Sequence, residues 1–446
     1  MGRARTRDLS GGRRLFGTDG VRGEVGSLLT PELATALGRA AAAVLEANRP
    51  QVLIVRDTRE SGPMLEAALA AGIAAGGGDA LLGGVLPTPA ASILARRYGL
   101  DLAAVVSASH NPYTDNGIKF FSAAGTKLDE ETEARIEATL SETAPRGGGA
   151  GRIRVLNGAL DDYLRALQAA FPLDLSGVKV MLDCANGATH RAAPAIFERL
   201  GAEVEAIGAE PDGRNINDGC GSTQLDHLAE RIAPADATIG FAFDGDGDRV
   251  LAVDGSGGKH DGDELIALVA SQRAARGELE GGVAVTVMTN YGFHRAMEAA
   301  GIEVATTAVG DRYVLEELRR RGWSLGGEQS GHIIAMDFAP TGDGIAAALM
   351  TMRALDRRPL ETAGGLERLP QVLVNVEVAD REAVAEADAV WEAVEREGAA
   401  LDGRGRVLVR PSGTEPLVRV MVEAPSADEA EAVCGRVVDV VRRELA

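Results

Sequence analysis

Short runs of β-branched and aliphatic residues alternate with Ala-rich amphipathic stretches along most of the chain, which predicts strands and helices in turn. Three times, an apolar run is followed by a polar turn, an amphipathic stretch, a closing glycine and a second apolar run. The paired strands are Val52–Val55 with Ala80–Leu82, Val178–Met181 with Val204, and Val283–Val287 with Val304. This order is typical of a parallel or mixed sheet covered by helices. We therefore predict three α/β domains in series.

The chain from Gln371 onward follows a different pattern and predicts a smaller α+β domain. Val372–Val378, Val407–Arg410 and Val418–Val422 predict strands, and residues 381–398 predict a helix. A final helix is predicted from an apolar stripe, with Ser426 and Glu429 as its capping box; the stripe comprises Val433, Val437, Val440 and Val441. Glycine-rich and turn-rich stretches mark the boundaries. The expected domains are residues 1–150, 151–258, 259–368 and 369–446.

Charge and composition narrow the class of protein. The 446 residues include 66 acidic and 46 basic side chains, a formal net charge of −20, whereas nucleic acids and anionic membranes require basic patches. The three cysteines form no CxxC pair and no disulfide framework, which favours a reducing cytoplasm. The basic N-terminus lacks an apolar run, and glycines interrupt the most apolar window, residues 67–86. We expect a soluble cytoplasmic protein with neither membrane nor nucleic acid as partner.

Three aspartates alternate with glycines in Asp244-Gly-Asp-Gly-Asp-Arg249, directly after the apolar run Ala237–Phe243. Glycines between the carboxylates let the backbone fold so that their oxygens converge on one hard cation. An EF-hand is excluded because Arg249 and Gly255 stand where that loop requires glycine and glutamate. Three carboxylates beside an arginine suit Mg²⁺ that handles a phosphate group. A solvated acidic turn is the alternative.

A second segment, Ser107-Ala-Ser-His-Asn-Pro112, follows the apolar run Leu102–Val106. A hydroxyl at the end of a strand can serve as a nucleophile or a phosphate carrier. Ser107 and Ser109 face the same way on an extended segment, so these residues alone leave open which serine acts. A turn without a covalent role is the alternative. His110 is a candidate base or a turn-stabilising residue, and Lys119 is a candidate cation for phosphate or a proton donor.

Three further loops carry groups that suit a phosphorylated sugar. Residues 16–23, FGTDGVRG, offer glycine N–H groups and one arginine to an anion. Residues 326–332, GGEQSGH, combine a carboxylate, an amide, a hydroxyl and an imidazole, with His332 as a candidate general acid or base. Residues 410–419, RPSGTEPLVR, set two arginines and two hydroxyls around a glycine, as in a phosphate clamp. The alternatives are, in the same order, a structural turn, a polar surface loop and a simple hairpin loop.

Together the motifs FGTDGVRG, SASHNP with NGIKF, DGDGDR, GEQSGH and RPSGTEP resemble those of the α-D-phosphohexomutase superfamily. The resemblance is closest to bacterial members that act on glucosamine phosphates, and it covers nearly the whole chain in order. It implies three similar mixed-sheet α/β domains plus a smaller α+β C-terminal domain around a central cleft. The segment up to about Arg14 precedes the first motif and has no predicted role.

The resemblance also implies roles for the residues of these motifs. It makes Ser109 the phosphorylated serine, whose phosphoryl oxygen would bind Mg²⁺ together with Asp244, Asp246 and Asp248. The cations that would surround the transferring phosphoryl group are Arg22, Lys119 and Arg249. It makes His332 a proton-transfer group, and Glu328 and Ser330 ligands of the sugar hydroxyls. The non-reacting phosphate would be held by Arg410, Ser412, Gly413, Thr414 and Arg419. Residues 310–312 resemble a loop that helps to orient the sugar.

The implied activity is the interconversion of glucosamine 6-phosphate and glucosamine 1-phosphate, which supplies amino-sugar nucleotides for the cell envelope. Phosphorylated Ser109 would phosphorylate the sugar, giving a hexosamine 1,6-bisphosphate, and recover the other phosphoryl group. Gln329 favours the amino sugar, because mannose and glucose enzymes more typically read GEMSGH. A phosphomannomutase or phosphoglucomutase with the same mechanism is one alternative, and a non-catalytic sugar-phosphate-binding protein is another. The resemblance also implies a homodimer.

Overall fold

The computed structural model describes residues 15–17, 19–141, 149–363, 366–412 and 416–445. They form two compact units. The first comprises the described residues up to 287 and those from 305 to 363, and the second those from 288 to 304 and from 366 to 445. Within the described ranges, no helix has the length and apolar composition needed to cross a bilayer.

The first sheet has six strands: β1 Val21–Glu24, β2 Gln51–Arg56, β3 Asp79–Val85, β4 Leu102–Val106, β5 Asp115–Ser122 and β6 Ile153–Val155. Their order is β1-β5-β4-β2-β3-β6. β2, β3, β4 and β6 run parallel, whereas β5 is antiparallel to both β4 and β1. The helices of this region are α1 Pro31–Val44, α2 Gly62–Ala75, α3 Thr88–Tyr98, α4 Glu130–Thr139 and α5 Ala159–Ala170.

Small residues let the helices of this region pack closely. A Cβ atom added to Gly38 of α1 would collide with the backbone of α2, and one added to Gly72 of α2 would collide with the backbone of α1. The core beneath them consists of buried aliphatic side chains such as Val52, Ile54 and Leu69. Burial of such side chains is the main stabilising contribution to the domain.

The second sheet comprises β7 Lys179–Asp183, β8 Glu203–Ile207, β9 Ile239–Phe243, β10 Val250–Asp254 and β11 Lys259–His260, in the order β11-β10-β9-β7-β8. Its helices are α6 Ala192–Arg199 and α7 Asp226–Ile232. β7 is parallel to β8 and β9, and β10 returns antiparallel to β9. The predicted strand–helix–strand order is therefore confirmed here, followed by a hairpin.

The third sheet comprises β12 Val283–Thr286, β13 Val304–Thr307, β14 Leu325–Gly327 and β15 Ile333–Ala335, in the order β13-β12-β14-β15. The helices between residues 261 and 363 are α8 Gly262–Ala275, α9 Tyr291–Ala299, α10 Asp311–Arg321, α11 Gly344–Leu355 and α12 Leu360–Ala363. β12 is parallel to β14, and β15 is antiparallel to β14. Three mixed α/β sheets agree with the predicted fold class.

The second unit contains a three-stranded antiparallel sheet, as predicted. It comprises β16 Gln371–Glu377, β17 Arg406–Pro411 and β18 Leu417–Glu423, in the order β16-β18-β17, with α13 Asp388–Leu401 and α14 Ala427–Leu445. The helix predicted over residues 381–398 is confirmed from residue 388 onward, but its predicted start is wrong. A 3₁₀ turn spans Glu382–Glu386, and the non-helical backbone of Ala387 separates it from α13. The Trp391 indole N–H donates to Val384 O at 2.9 Å across this break.

Candidate active site

Three of the motifs occupy the same position in the three α/β sheets. Residues 107–114 connect β4 to β5, residues 244–249 connect β9 to β10, and residues 328–332 connect β14 to β15. Each loop leaves the carboxyl end of a parallel strand and enters an antiparallel neighbour. Ligands of open α/β sheets bind at the carboxyl ends of such strands. The topology therefore puts the serine hydroxyls, the three carboxylates and the groups predicted to bind the sugar at equivalent edges of their sheets.

In the serine loop, which comprises residues 107–114, Ser109 and Ser107 have different hydrogen-bond partners. Ser109 Oγ donates to Asp244 Oδ2 at 2.5 Å and lies 3.3 Å from His110 Nδ1. Ser107 Oγ instead donates to Asp57 Oδ2 at 2.5 Å and accepts the Ser109 N–H at 3.0 Å. Ser109 has a φ of +52°, in the left-handed region that residues other than glycine seldom adopt. The turn therefore gives the two hydroxyls different partners.

Asp244, Asp246 and Asp248 form a triad of buried aspartates. One carboxylate oxygen from each lies within 4.8 Å of those of the other two. Oδ1 of Asp246 and Oδ1 of Asp248 accept no hydrogen bond from the described residues. A buried carboxylate oxygen without a donor is costly, and a bound cation removes that cost. An all-oxygen set of this kind fits a hard divalent cation such as Mg²⁺.

Crowding of the three carboxylates perturbs their protonation. Burial and the neighbouring carboxylates of Asp246 and Asp248 raise the pKa of Asp244 well above its usual value. Burial also opposes ionisation of Asp248, but Lys119 and His332 outweigh it and hold the pKa of Asp248 well below its usual value. Like charges at this separation cannot all ionise freely without a compensating cation.

Lys119 on β5 supplies a buried positive charge at the base of the triad. Its Nζ lies 2.6 Å from Asp246 Oδ2 and 3.6 Å from Asp248 Oδ2. Thr88, at the start of α3, donates its hydroxyl to the same Asp246 oxygen at 2.6 Å, and its backbone N–H to Asp246 O at 2.8 Å. The first sheet thus fixes the aspartate loop of the second.

The other two predicted cations lie close by. Arg22 pairs with β5 opposite Gly117, two residues from Lys119, and its guanidinium contacts Asp19. Arg249 follows the third aspartate, and its Nε lies 3.9 Å from Asp248 Oδ1. Burial opposes the charge of Arg249, but the triad and Glu328 raise its pKa. The structure therefore places Lys119 and Arg249 at the triad. Arg22 is linked to them through Asp19, whose Oδ2 lies 4.0 Å from Lys119 Nζ.

His332 lies next to Asp248 of the triad, with only 3% of its surface exposed. Its Nδ1 lies 3.8 Å from Asp248 Oδ2, and its Nε2 accepts the Gly342 N–H at 3.0 Å. That bond favours the tautomer with its proton on Nδ1, facing Asp248. Burial lowers the pKa of His332, but the neighbouring carboxylates of Asp248 and Asp311 raise it above its usual value. The imidazole is thus engaged on both nitrogens.

The loop of residues 328–332 is held against the aspartate loop. Gly331, with a φ of +89°, accepts the Val250 N–H at 3.0 Å, and a Cβ there would collide with the Val250 backbone. Glu328 Oε1 accepts the Gly310 N–H at 3.1 Å, and Ser330 is half-buried. Gln329 donates its amide to Asp261 Oδ2 at 3.1 Å, and Asp261 is the N-cap of α8. Gln329, the residue expected to favour the amino sugar, therefore anchors the loop of residues 328–332 to the start of α8.

Residues 310–312 contribute contacts around this loop. Asp311 Oδ2 lies 2.7 Å from Lys127 Nζ and 3.5 Å from His332 Nε2. Arg312 donates to Glu130 Oε1 at 3.0 Å and to Leu128 O at 3.3 Å. These contacts join the third α/β region to the first.

In the second unit, Arg410 of β17 and Arg419 of β18 lie directly opposite each other. Burial and the Arg419 guanidinium lower the pKa of Arg410. Two like charges in register repel each other, and a bound anion would relieve that repulsion. Buried Ser412 donates its N–H to Leu417 O at 2.8 Å. Gly413 and Thr414 lie outside the described residues.

The sequence analysis missed several residues that hold the serine loop. Asp57 and Arg59 follow β2, and both are fully buried. Asn217 donates its amide to Ser109 O at 2.9 Å and to Asn111 O at 3.2 Å. The available signal was Asp57-Thr-Arg59 at the end of a buried strand, where a charged pair requires a partner.

Comparisons with known proteins agree with the order of the three α/β domains and the C-terminal domain. The chain matches the family models for phosphoglucomutase/phosphomannomutase alpha/beta/alpha domain I over residues 13–146, domain II over 161–258 and domain III over 261–371, and that for the C-terminal domain over 373–440. The chain belongs to the phosphoglucomutase/phosphomannomutase family and is an isomerase of the phosphohexomutase class.

Among its relatives, the chain is 50% identical to the phosphoglucosamine mutase of Pelotomaculum thermopropionicum over 439 residues, which are 96% of this chain and 99% of the relative. It is 51% identical to that of Moorella thermoacetica over 429 residues, 94% and 97% of the two chains. The structure of a phosphoglucomutase/phosphomannomutase family protein from Burkholderia thailandensis aligns with a TM-score of 0.82 at 26% identity, covering 97% and 96%. Aspergillus fumigatus N-acetylphosphoglucosamine mutase, solved with GlcNAc-6P and magnesium, shares the fold, with a TM-score of 0.67 at 19% identity and coverage of 97% and 96%.

Proposed function

We propose that this chain is a phosphoglucosamine mutase, which interconverts glucosamine 6-phosphate and glucosamine 1-phosphate through phosphorylated Ser109 and a hexosamine 1,6-bisphosphate. The observation that carries the proposal is the hydrogen bond from Ser109 Oγ to Asp244, in a chain about half identical to phosphoglucosamine mutases over nearly its full length. The substrate is then a phosphorylated amino sugar, and the place of the reaction is the cytoplasm. A homodimer stays a prediction.

The metal proposed for the triad is Mg²⁺. Asp244, Asp246 and Asp248 would hold it, and two of their oxygens accept no hydrogen bond from the described residues. When bound, the ion would neutralise charge on the phosphoryl oxygens. The aspartates would hold the ion beside the hydroxyl of Ser109, which already donates to Asp244, and such positioning is the main requirement of phosphoryl transfer.

Charge balance supports the roles proposed for Arg22, Lys119 and Arg249. Three aspartates and a phosphoserine carry about five negative charges. A divalent cation and three basic side chains offset that number. Preorganised charges of this kind stabilise the transition state without reorganising during the reaction.

Recovery of the enzyme requires that the sugar present each of its two phosphates to the serine in turn. We assign the hydroxyl groups of the sugar to Glu328 and Ser330, and the non-reacting phosphate to Arg410, Ser412, Gly413, Thr414 and Arg419. We keep His332 as a proton-transfer group for the sugar oxygen. Ligands for a phosphate that does not react allow either orientation of the bisphosphate to bind.

A phosphomannomutase or phosphoglucomutase would use the same serine and the same triad. Identity of about 50% to phosphoglucosamine mutases favours the amino sugar. The side chain of Gln329 donates to Asp261. Gln329 therefore favours the amino sugar only indirectly, by positioning the loop of residues 328–332. A protein that merely binds sugar phosphates would not require a serine hydroxyl hydrogen-bonded to a metal-binding carboxylate.

The test is kcat/KM for glucosamine 1-phosphate, glucose 1-phosphate and mannose 1-phosphate, with Mg²⁺ and catalytic hexose bisphosphate. A preference of tenfold or more for the amino sugar, about 1.4 kcal/mol, supports the proposal. Equal or better turnover of the other sugars overturns the substrate assignment but leaves phosphohexomutase chemistry. Absence of turnover on all three sugars, or full turnover by Ser109→Ala, overturns the mechanism.

A further inference from the structure

Arg59 is a fully buried arginine whose hydrogen bonds converge on the serine loop. A guanidinium group has five N–H donors in a rigid planar fork. In Arg59 all five have acceptors: Asp57 Oδ2, and the carbonyl oxygens of Ser109, Asn111, Pro112 and Asp115. The distances are 2.8 Å to Asp57, 3.0 Å to Ser109 and 2.8 Å to Asn111.

A second route connects the same ion pair to the amide of Ser109. Asp57 Oδ2 accepts the Ser107 hydroxyl at 2.5 Å, and that hydroxyl accepts the Ser109 N–H at 3.0 Å. The Ser109 peptide is therefore held on both sides, at its N–H through Ser107 and at its carbonyl by Arg59. Such a hold is needed because its φ of +52° is unfavourable for serine.

The charge of Arg59 is already balanced within the pair. Asp57 and Arg59 are both fully buried and lie 2.8 Å apart. The pair adds no net charge to the phosphoryl site, so it does not compete with Arg22, Lys119 and Arg249. All five of its donors are also used by groups other than a ligand. Arg59 is therefore suited to fixing the backbone and not to binding phosphate.

We propose that Arg59, paired with Asp57, is a positioning residue for phosphoryl transfer, which holds Ser109 in the left-handed turn that directs its hydroxyl at Asp244. The inference rests on the proposed function of Ser109. It assigns to a buried ion pair an effect on the chemical step, in addition to any effect on folding. Displacement of a reacting group by about 1 Å can cost on the order of 100-fold in rate.

The first test replaces Arg59 by lysine, which keeps the positive charge but has only three donors and no planar fork. We expect Arg59→Lys to fold, to bind the sugar phosphate with KM within about threefold of wild type, and to lose on the order of 100-fold in kcat. The matched control is Arg406→Lys, because Arg406 pairs with the fully buried Glu423 and donates to Thr289 O, all within the second unit. Its loss in kcat should stay within about threefold.

The second test leaves the Asp57–Arg59 pair intact and removes only the Ser107 hydroxyl, which connects Asp57 to the Ser109 N–H. Ser107→Ala should lower kcat about tenfold or more with little change in KM or in melting temperature, since one hydrogen bond to the Ser109 amide is lost. The control is Ser92→Ala, another fully buried serine of the first domain, whose hydroxyl donates to Gly125 O away from the loop. This control should keep wild-type kcat.

Hydrogen–deuterium exchange of the free enzyme gives a readout that does not depend on activity. Peptides covering residues 107–117 should exchange faster in Arg59→Lys and Ser107→Ala, and those of both controls should match wild type. Wild-type kcat per folded molecule in both loop variants, or unchanged exchange of the loop, would overturn the inference. An inactive wild type whose loop exchange still responds to Arg59→Lys would instead count against the proposed function alone.

Discussion

Lys119 Nζ, on β5 of the first sheet, lies 2.6 Å from Oδ2 of Asp246, in the loop between β9 and β10 of the second sheet, and both side chains are buried. The contact fixes the serine-bearing hairpin and the aspartate loop in one register. The ion pair neutralises part of the triad charge through Oδ2 of Asp246. Oδ1 of Asp246 accepts no hydrogen bond from the described part of the chain and is therefore suited to a cation.

Lys119→Met should destabilise the fold and abolish turnover. Removing one partner of a buried ion pair leaves an uncompensated charge and typically costs about 3–5 kcal/mol. Mg²⁺ should therefore raise the melting temperature of this variant more than that of wild type, because the cation replaces the lost charge. The control is Lys179→Met, since Lys179 is 30% exposed and pairs with Glu203 on the surface. An equal effect of Mg²⁺ on Lys119→Met and wild type would contradict the prediction.

Asp248→Asn should weaken Mg²⁺ binding by tenfold or more, because the substitution removes a full charge from an oxygen ligand set. Calorimetric titration of the free enzyme with MgCl₂ measures this directly, and the Mg²⁺ dependence of turnover should shift in parallel. Asp254→Asn is the matched control, a buried carboxylate at the end of β10 that bonds to Ser256 and Gly258. Equal Mg²⁺ affinity in the two variants would exclude the triad as the metal site.

Asp343 should make stability depend on pH. Burial raises the pKa of Asp343 to about 6, against hydrogen bonds from Ala346 N–H and the Tyr163 hydroxyl. A folded pKa above the unfolded value means that the stabilising contribution is present at low pH and is lost as pH rises through about 6. From pH 8 to pH 5, wild type should gain about 1 kcal/mol relative to Asp343→Asn, which cannot titrate. Urea denaturation of both proteins at pH 8 and at pH 5 measures this change. The same difference in free energy of unfolding at both pH values would contradict the prediction.

Gln329→Met should affect all sugar phosphates alike. The Gln329 amide donates to Asp261 at 3.1 Å, and methionine has no donor for that bond. Loosening the loop should raise KM severalfold for glucosamine, glucose and mannose 1-phosphates, with little change in their ratio. Steady-state kinetics on the three substrates decides the matter. A loss confined to the amino sugar would mean that Gln329 recognises the substrate directly.

The sequence was sufficient to predict the three α/β sheets and the position of the serine and aspartate motifs directly after strands. The apolar run before each motif marked the parallel strand, and the motif itself marked the turn into the antiparallel neighbour. Tertiary contacts of those motifs were not predictable. The carbonyl groups that accept hydrogen bonds from Arg59 lie about 50 residues further along the chain, and nothing in Asp57-Thr-Arg59 specifies which carbonyls these are. The hydrogen bond from Gln329 to Asp261 was not predictable either, because Asp261 lies 68 residues earlier in the chain, at the start of α8.

The two serines illustrate the same limit. On an extended segment Ser107 and Ser109 would face the same way, and the sequence motif alone did not separate them. The left-handed backbone at Ser109 turns its hydroxyl to Asp244 and leaves Ser107 with Asp57. That turn depends on contacts with Arg59 and Asn217, which are remote in sequence.

The most direct test of the account is to locate the phosphoryl group on the enzyme. Wild-type protein is incubated with Mg²⁺ and glucose 1,6-bisphosphate, and peptides spanning residues 107–119 are sequenced by mass spectrometry. We expect a phosphoryl group on Ser109 and not on Ser107, and we expect glucosamine 6-phosphate to remove it in a single turnover. A phosphoryl group on Ser107, or turnover by Ser109→Ala at the wild-type rate, would contradict it.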